Sequence, residues 1–544
     1  MKNVKLYLNT IKYLRLQQIL YQIFRKLKKR NIKEINIFNA PLIAHNPNLF
    51  IEELDLDEKY LNRFDTVELS LGTILLLNHK EVFDGSNWDY KKCSPLWNFN
   101  LQYFEYGIAL AAEFYKHKNQ EMLEALKKYW KCWIKSEGTY KWHPYTISLR
   151  IKNLLIVREI FGNSLDEEFD REFYASIYNQ YQYLEKNQEK HILGNHYFEN
   201  LCTLVICSDL FNESKKYKKY LRIFLKEIKE EILPDGMHFE KSFMYHKLIL
   251  EDLFRIRRLA LPKEATEYID FSISKMCDAL ATGEKGFNRT PLFNDSGDNV
   301  AKSKDSLLKL YKNQYGKAVN EDIDLSASGY YQIADENKVI LIDAGYPGPD
   351  YIPGHVQCDA LSFELSVDGM PLFVNSGTGM YQGKLRKYFR STEAHNTVMI
   401  NGHQQSECWS EHRVGRRISE VKGSVNGTKF KGSYRNYWGE LHKRKIEFKD
   451  NFLYVLDSTG KSGDKIVSRL HIASEYELVK EVDAIVVRDK KSKVKTCIVM
   501  PILVEASFVK GYYAPEFEKV SEIDVIEFEW ISDEQEHGYL IKFT

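Results

Sequence analysis

Residues 330–344 read YYQIADENKVILIDA, and the chain changes character there. Apolar residues begin to alternate with polar ones, which is the period of a strand buried on one face. Upstream, from about residue 96 to 315, apolar residues recur instead at three and four positions. LWNFNLQYFEYGIALAAEFY (96–115), YTISLRIKNLLIVREIF (145–161), YFENLCTLVICSDLF (197–211) and YHKLILEDLFRIRRLA (245–260) all carry this helical period. Short breaks separate the runs at Glu137-Gly138, Gly162-Asn163, Gly194-Asn195 and Pro234-Asp235-Gly236. Many helices of similar length with short links predict stacked antiparallel helix pairs. Downstream, LSFELSVDGMPLFVNSG (361–377), KRKIEFKDNFLYVLDS (443–458), KIVSRLHI (465–472) and DAIVVRD (483–489) read as strands, with hairpin turns expected at Asp368-Gly369 and Lys449-Asp450-Asn451. The expectation is an α+β multidomain chain. Residues 1–40 form a basic amphipathic helical segment, 41–320 a helical domain and 325–544 an antiparallel β-sandwich, with the boundary inside Lys302–Ser328.

Composition narrows the function classes. The 544 residues carry 77 Lys and Arg against 76 Asp and Glu, so bulk charge points to neither nucleic acid nor membrane, and attraction to an acidic polymer must come from a local patch. Thirty-five tyrosines suit either a groove that stacks sugar rings or a large aromatic core. The eight cysteines, at 93, 132, 202, 207, 277, 358, 408 and 497, form no CxxC pair, so neither a zinc knuckle nor a disulfide framework is indicated. Buried free thiols and a reducing compartment are the expectation. Lys and Arg interrupt every apolar run of the first 30 residues, which read poorly as a secretory signal, so a cytoplasmic location is expected. That segment either packs against its own body or lies on an anionic membrane surface.

Three pieces of residues 351–401 are more specific. Pro353-Gly354-His355 precedes Asp359-Ala360-Leu361-Ser362-Phe363-Glu364-Leu365. Val374-Asn375-Ser376-Gly377-Thr378 follows, and then Arg390-Ser391-Thr392 with Ala394-His395-Asn396-Thr397. In this order they resemble the C-terminal signature of the heparinase II/III-like polysaccharide lyases, and the likeness covers roughly residues 90–500. It implies an incomplete (α/α) toroid joined to a multi-sheet antiparallel sandwich, with a sugar-binding cleft between them.

Eliminative cleavage of a uronate polymer sets clear demands. A base must take the C5 proton beside an already negative carboxylate, donors must stabilise that carboxylate, and an acid must protonate the departing C4 oxygen. Gly194-Asn195-His196 opens a helical run and puts two donors at a partly positive helix end. Glu199, one turn on, is positioned to orient His196. The resemblance implies that Asn195 binds the carboxylate and that His196 assists or acts as base. It matches Tyr245, in Ser242-Phe243-Met244-Tyr245, to the catalytic tyrosine, which serves as acid and base where nearby donors lower its pKa. It matches His355 to a catalytic histidine that serves one C5 configuration while Tyr245 serves the other. Arg150 and Arg390 are candidates to clamp a carboxylate or to form structural ion pairs. Trp97, Asn98 and Tyr103 resemble sugar-subsite residues and equally suit helix packing.

The chain departs from the resemblance at one point. Relatives hold a zinc ion where this sequence has Gln357, Asn375 and His395, and neutral amide oxygens are poor zinc ligands. No metal and no cofactor is expected, and a hydrogen-bond network among the three is expected instead, with Asp343 and Asp359 left as a weaker oxygen-ligand site. The resemblance implies a lyase acting on an acidic, uronic-acid-containing glycan, and the poor secretory signal leads to the expectation of a role in surface polysaccharide metabolism. A uronyl C5-epimerase shares the first chemical step, and a non-catalytic glycan-binding protein shares the fold.

Overall fold

The computed structural model describes residues 2–27, 43, 45–83, 85 and 87–544. Of the expected N-terminal segment, residues 28–40 lie outside the described residues. Within the rest, helix α1 (Lys2–Ile11) and helix α2 (Leu16–Leu27) are present.

The helical block runs from Pro95 to Tyr315. Helix Glu105–His117 packs on Gln120–Lys135 and Pro144–Phe161. Gly194–Leu210 packs on Pro144–Phe161, Ser214–Glu231 and Phe243–Arg257, and Phe243–Arg257 packs on Lys263–Gly283. This is the curved stack of helix hairpins expected of an incomplete toroid. Helix Pro144–Phe161 is buried on nearly every side, which explains why its sequence shows apolar residues all round instead of one stripe. One element departs from the expected helical domain: Thr73–Leu76 and His79–Val82 pair as a small antiparallel hairpin.

The β region holds two four-stranded sheets, one of eight strands and a two-stranded hairpin of Cys408–Trp409 and Arg413–Val414. Tyr330–Asp335, Lys338–Asp343, Phe363–Val367 and Met370–Phe373 form the first in chain order. The eight-stranded sheet runs Ser419–Asn426, Lys429–Arg435, Leu441–Lys449, Phe452–Thr459, His537–Phe543, Lys495–Ile502, Ile485–Asp489, Tyr476–Lys480. The third runs Glu505–Glu516, Lys519–Ile531, Lys465–His471, Val398–Ile400. The expected turns are present. Val367 pairs with Met370 across Asp368 and Gly369, and Lys449 with Phe452 across Asp450 and Asn451. All four turn residues have positive φ, as such two-residue turns require. Alternate residues such as Ile446, Phe448, Leu453, Val455, Tyr539 and Ile541 fill a core distinct from that of the helices.

Candidate active site

The loop Ala344–Ser362 leaves the first sheet and reaches the helical block, carrying His355 to the two turns singled out in the sequence. Helix Gly194–Leu210 supplies the first turn. Gly194 has φ +55°, and a Cβ there would overlap Oε1 of Glu240, so glycine is required both for the backbone and for the close approach. With that space open, Glu240 accepts from the Asn195 backbone N–H at 3.0 Å and from Nδ2 at 2.9 Å. Burial would push the Glu240 carboxyl up, but His355, His238 and the Asn195 donors hold it below its usual range. Ser242 caps the second helix and places Tyr245 in its first turn.

Asn195, Tyr245 and His355 form one cluster. Asn195 Nδ2 lies 3.2 Å from His355 Nε2. The Tyr245 and His355 rings sit 4.2 Å apart between centroids. On the far side, His355 Nδ1 is 3.0 Å from Asp295 Oδ2. Arg386 clamps Asp295 through two bonds of 2.6 and 2.7 Å, so this buried carboxylate is held ionised, well below its usual range. These contacts assign the His355 proton to Nδ1, facing Asp295, and leave Nε2 as an acceptor toward Asn195, with Oε2 of Glu240 farther off at 3.5 Å. Tyr245 shares a 2.7 Å hydroxyl contact with Tyr381. Burial and the neighbouring tyrosine push the Tyr245 hydroxyl well above its ordinary range, contrary to the lowered pKa the base role asks for. Tyr245 is therefore a proton donor in this arrangement.

His196 heads a second group. Its Nδ1 lies 3.2 Å from Oε1 of Glu189, a fully buried carboxylate that also faces His143 at 3.6 Å. Burial would lower the imidazole's pKa, but Glu189 outweighs it and holds it above its usual value. Burial likewise opposes the Glu189 charge, yet the facing imidazoles bring its pKa down to about 2. His196 is thus biased toward its protonated form, a partner for a carboxylate more than a base. Tyr145 covers its ring at 4.4 Å, and Tyr103 meets Tyr145 edge-on at 6.2 Å. The side chains of His196 and His355 are 28% and 14% exposed, so a ligand reaches both.

Five expected site residues lie outside this chemistry. Glu199 does not orient His196; it is buried against Lys152 at 2.7 Å, and Glu189 has the orienting role. Arg150 is fully buried, with its donors on Gln180 Oε1 and the carbonyls of Gln102 and Lys141. Arg390 is buried too and bonds the carbonyls of Val356, Ser410 and Arg413, bracing the His355 loop. Neither arginine is free to clamp a substrate, because burial commits its donors to oxygens of the protein itself. Trp97 donates to the His79 carbonyl inside the core, and Asn98 closes a loop by bonding Tyr90 on both its amide groups. Glu189, Glu240, Asp295, Tyr381 and Arg386 were not among the expected site residues, although Glu240 lies in the stretch leading to Ser242 and Tyr245 that the resemblance covers.

The metal question resolves differently from the expected three-residue network. Asn375 Oδ1 accepts from Ser362 Oγ at 2.6 Å and lies 3.1 Å from His395 Nδ1, but Gln357 turns away and donates to Asp295 at 2.9 Å. Burial drives the His395 imidazole down to about 3, so it is neutral. The Asn375 oxygen is committed to hydrogen bonds and Gln357 points elsewhere, so these residues do not fit a zinc ion. Burial raises the Asp343 and Asp359 carboxyls, Asp359 to about 6, and lowers the nearby Lys241 ammonium, with the opposite charges offsetting part of each shift.

Comparison with known proteins agrees with the architecture. Residues 5–324 match the family model described as heparinase II/III N-terminus, and residues 318–519 match the model described as heparinase II/III-like, C-terminal. The chain is 26% identical over 297 residues to a heparin-sulfate lyase of Pedobacter heparinus, covering 48% of this chain and 44% of that protein. It is 23% identical over 442 residues to a heparin-sulfate lyase of Bacteroides thetaiotaomicron, covering 69% and 61%. The chain thus spans less than two thirds of the length of these relatives. Among solved structures, a heparinase III superposes with TM-score 0.69 at 17% identity, covering 96% of this chain and 88% of that one. A heparan sulfate lyase of Pedobacter heparinus superposes with TM-score 0.56 at 15% identity, covering 96% and 87%, and at such identities the likeness speaks for the fold. The two family models together run from residue 5 to residue 519, and the chain belongs to the heparinase II/III family.

Proposed function

We propose that the protein is a polysaccharide lyase that cleaves a uronic-acid-containing glycan by β-elimination. The observation that carries this reading is His355, with Asp295 on Nδ1 and an accepting Nε2 beside Asn195 and Tyr245. His355 Nε2 takes the C5 proton, and the C5–H electrons become the C4–C5 double bond as the C4–O bond breaks. Tyr245 gives its hydroxyl proton to the departing oxygen, with Tyr381 in contact to return one. Asn195 Nδ2 and the cationic His196 stabilise the carboxylate where charge builds. The names of the relatives put heparan-type glycosaminoglycans first among substrates to try. A cytoplasmic location belongs to the same reading, because the spacing of the eight cysteines suggests no disulfide framework and the first 30 residues read poorly as a secretory signal.

Incubation with a panel of uronate glycans in heavy water, followed by NMR, tests the reaction. Unsaturated C4–C5 uronate signals are expected. Deuterium at C5 in an intact chain would instead identify an epimerase, and neither change across the panel counts against both.

A further inference from the structure

Helices α1 and α2 are attached to the body the wrong way round for a soluble protein. In α2 the buried residue is Gln18, whose Nε2 donates to the carbonyl of Tyr351 at 3.0 Å. Arg15, just before the helix, pairs with Glu230 and lies over the Tyr351 ring, and Arg25 contacts His191. In α1 the buried residue is Thr10, which accepts from Trp409 Nε1 at 3.0 Å, while Asn9 reaches Glu407. The polar faces therefore hold the pair to both halves of the molecule. The apolar faces point outward. Leu16, Leu20, Ile23, Phe24 and Leu27 form one exposed stripe on α2 at helical spacing, and Val4, Leu8 and Ile11 another on α1. Leu16 is 70% and Leu27 78% exposed. With Tyr7 and Tyr21, these 24 residues hold ten of the 26 exposed large apolar side chains of the described chain, where a monomer scatters such residues singly.

Charge identifies what covers the face. The first 30 residues contain nine Lys and Arg and no Asp or Glu, whereas the whole chain carries +1, which leaves −8 for the remainder. A basic helix pair with an outward apolar stripe matches a surface that is both anionic and greasy. A second copy of this chain would bring the same positive charge to the contact, and an acidic glycan would leave the apolar stripe in water. We infer that α1 and α2 seat the protein peripherally on an anionic lipid bilayer. No helix of the described residues is long and apolar enough to cross a membrane, so the contact is with one leaflet. Through Gln18, Arg15 and Tyr351 the seat is linked to the loop that carries His355. The inference does not depend on the reaction proposed above.

Flotation of the full chain with vesicles tests it, using phosphatidylcholine alone and phosphatidylcholine with about one third phosphatidylglycerol. Flotation with the anionic vesicles alone is expected, weakened by added salt. The Leu20→Glu, Phe24→Glu double variant should partition more than about tenfold less, because two apolar anchors become anions. Lys5→Gln with Lys12→Gln and Lys26→Gln should bind less while unfolding at the wild-type temperature, since these lysines are exposed. Three results would overturn the inference. They are no flotation with either vesicle, equal flotation of the Leu20→Glu, Phe24→Glu chain, or sedimentation showing that this double variant abolishes a wild-type dimer that does not bind vesicles.

Discussion

Two imidazoles of the candidate site, His355 and His196, each rest on a buried carboxylate, yet the carboxylates are held differently. Asp295 gives both oxygens to Arg386 and only a shared edge to His355. Glu189 has no arginine and faces two imidazoles, His196 and His143. A carboxylate already neutralised by a cation orients a neighbouring histidine without forcing a charge on it. A carboxylate without such a cation draws the proton onto the imidazole. The same pair of residue types thus yields a hydrogen-bonded acceptor on one side and, on the other, an imidazole biased toward its cation. Elimination beside a carboxylate needs one of each.

The strongest way to break this contrast is to remove the acceptor. His355→Gln keeps a polar side chain at the site but cannot take a proton, and turnover should fall about 10²–10⁴-fold with oligosaccharide affinity little changed. Steady-state kinetics beside a direct binding measurement checks it; turnover within a few-fold of wild type would reassign the base. The next effect is on the brace. Arg386→Gln strands the Asp295 charge, and chemical denaturation should show a loss of about 3–5 kcal/mol. The freed carboxylate should then pull the proton onto His355, so the pH profile of kcat should move to higher pH. A stability loss with an unmoved profile would make Arg386 a packing residue and no more.

Much of this was legible from the chain. The switch from helical to alternating period set the two blocks, because each face-burying element must repeat its apolar residues at its own geometry. Asn195, Tyr245 and His355 stood out because the resemblance to the heparinase II/III-like lyases matched them, and the glycines at 194 and 354 marked only the turns beside two of them. The supports of these three residues did not stand out. Asp295 and Arg386 are 91 positions apart, and Asn195 and Glu240 are 45 apart, so nothing local marks either pair. Arg150 and Arg390 misled for the converse reason: a charge reads as available in sequence, while burial spends its donors on carbonyls. Sheet order was beyond reach as well, since His537–Phe543 inserts between strands 452–459 and 495–502. Hairpin 73–82 is made of four-residue strands, too short to establish a period.

The smallest predicted effect sharpens the comparison from the other side. Glu189→Gln removes the charge that keeps His196 cationic, and it leaves a buried donor-acceptor set mismatched. A cost of about 1–3 kcal/mol is expected. The pH window follows from the two shifts, which describe one interaction and count once. Glu189 lies below its ordinary 4.5, so its contribution is present above that pH and is lost as pH falls toward about 2. His196 lies above its ordinary 6.5, so its contribution is full below that pH and is lost as pH rises through the raised value. The stability gap between wild type and variant should therefore peak between pH 4.5 and 6.5 and close on both sides. Uronate affinity should fall off at a lower pH in the variant than in the wild type, because the variant loses the carboxylate that raises His196 and keeps only the burial that lowers it. Denaturation and titration calorimetry at stepped pH measure both. A gap that stays flat with pH would mean that Glu189 acts only as a hydrogen-bond acceptor, and that the two histidines are held alike.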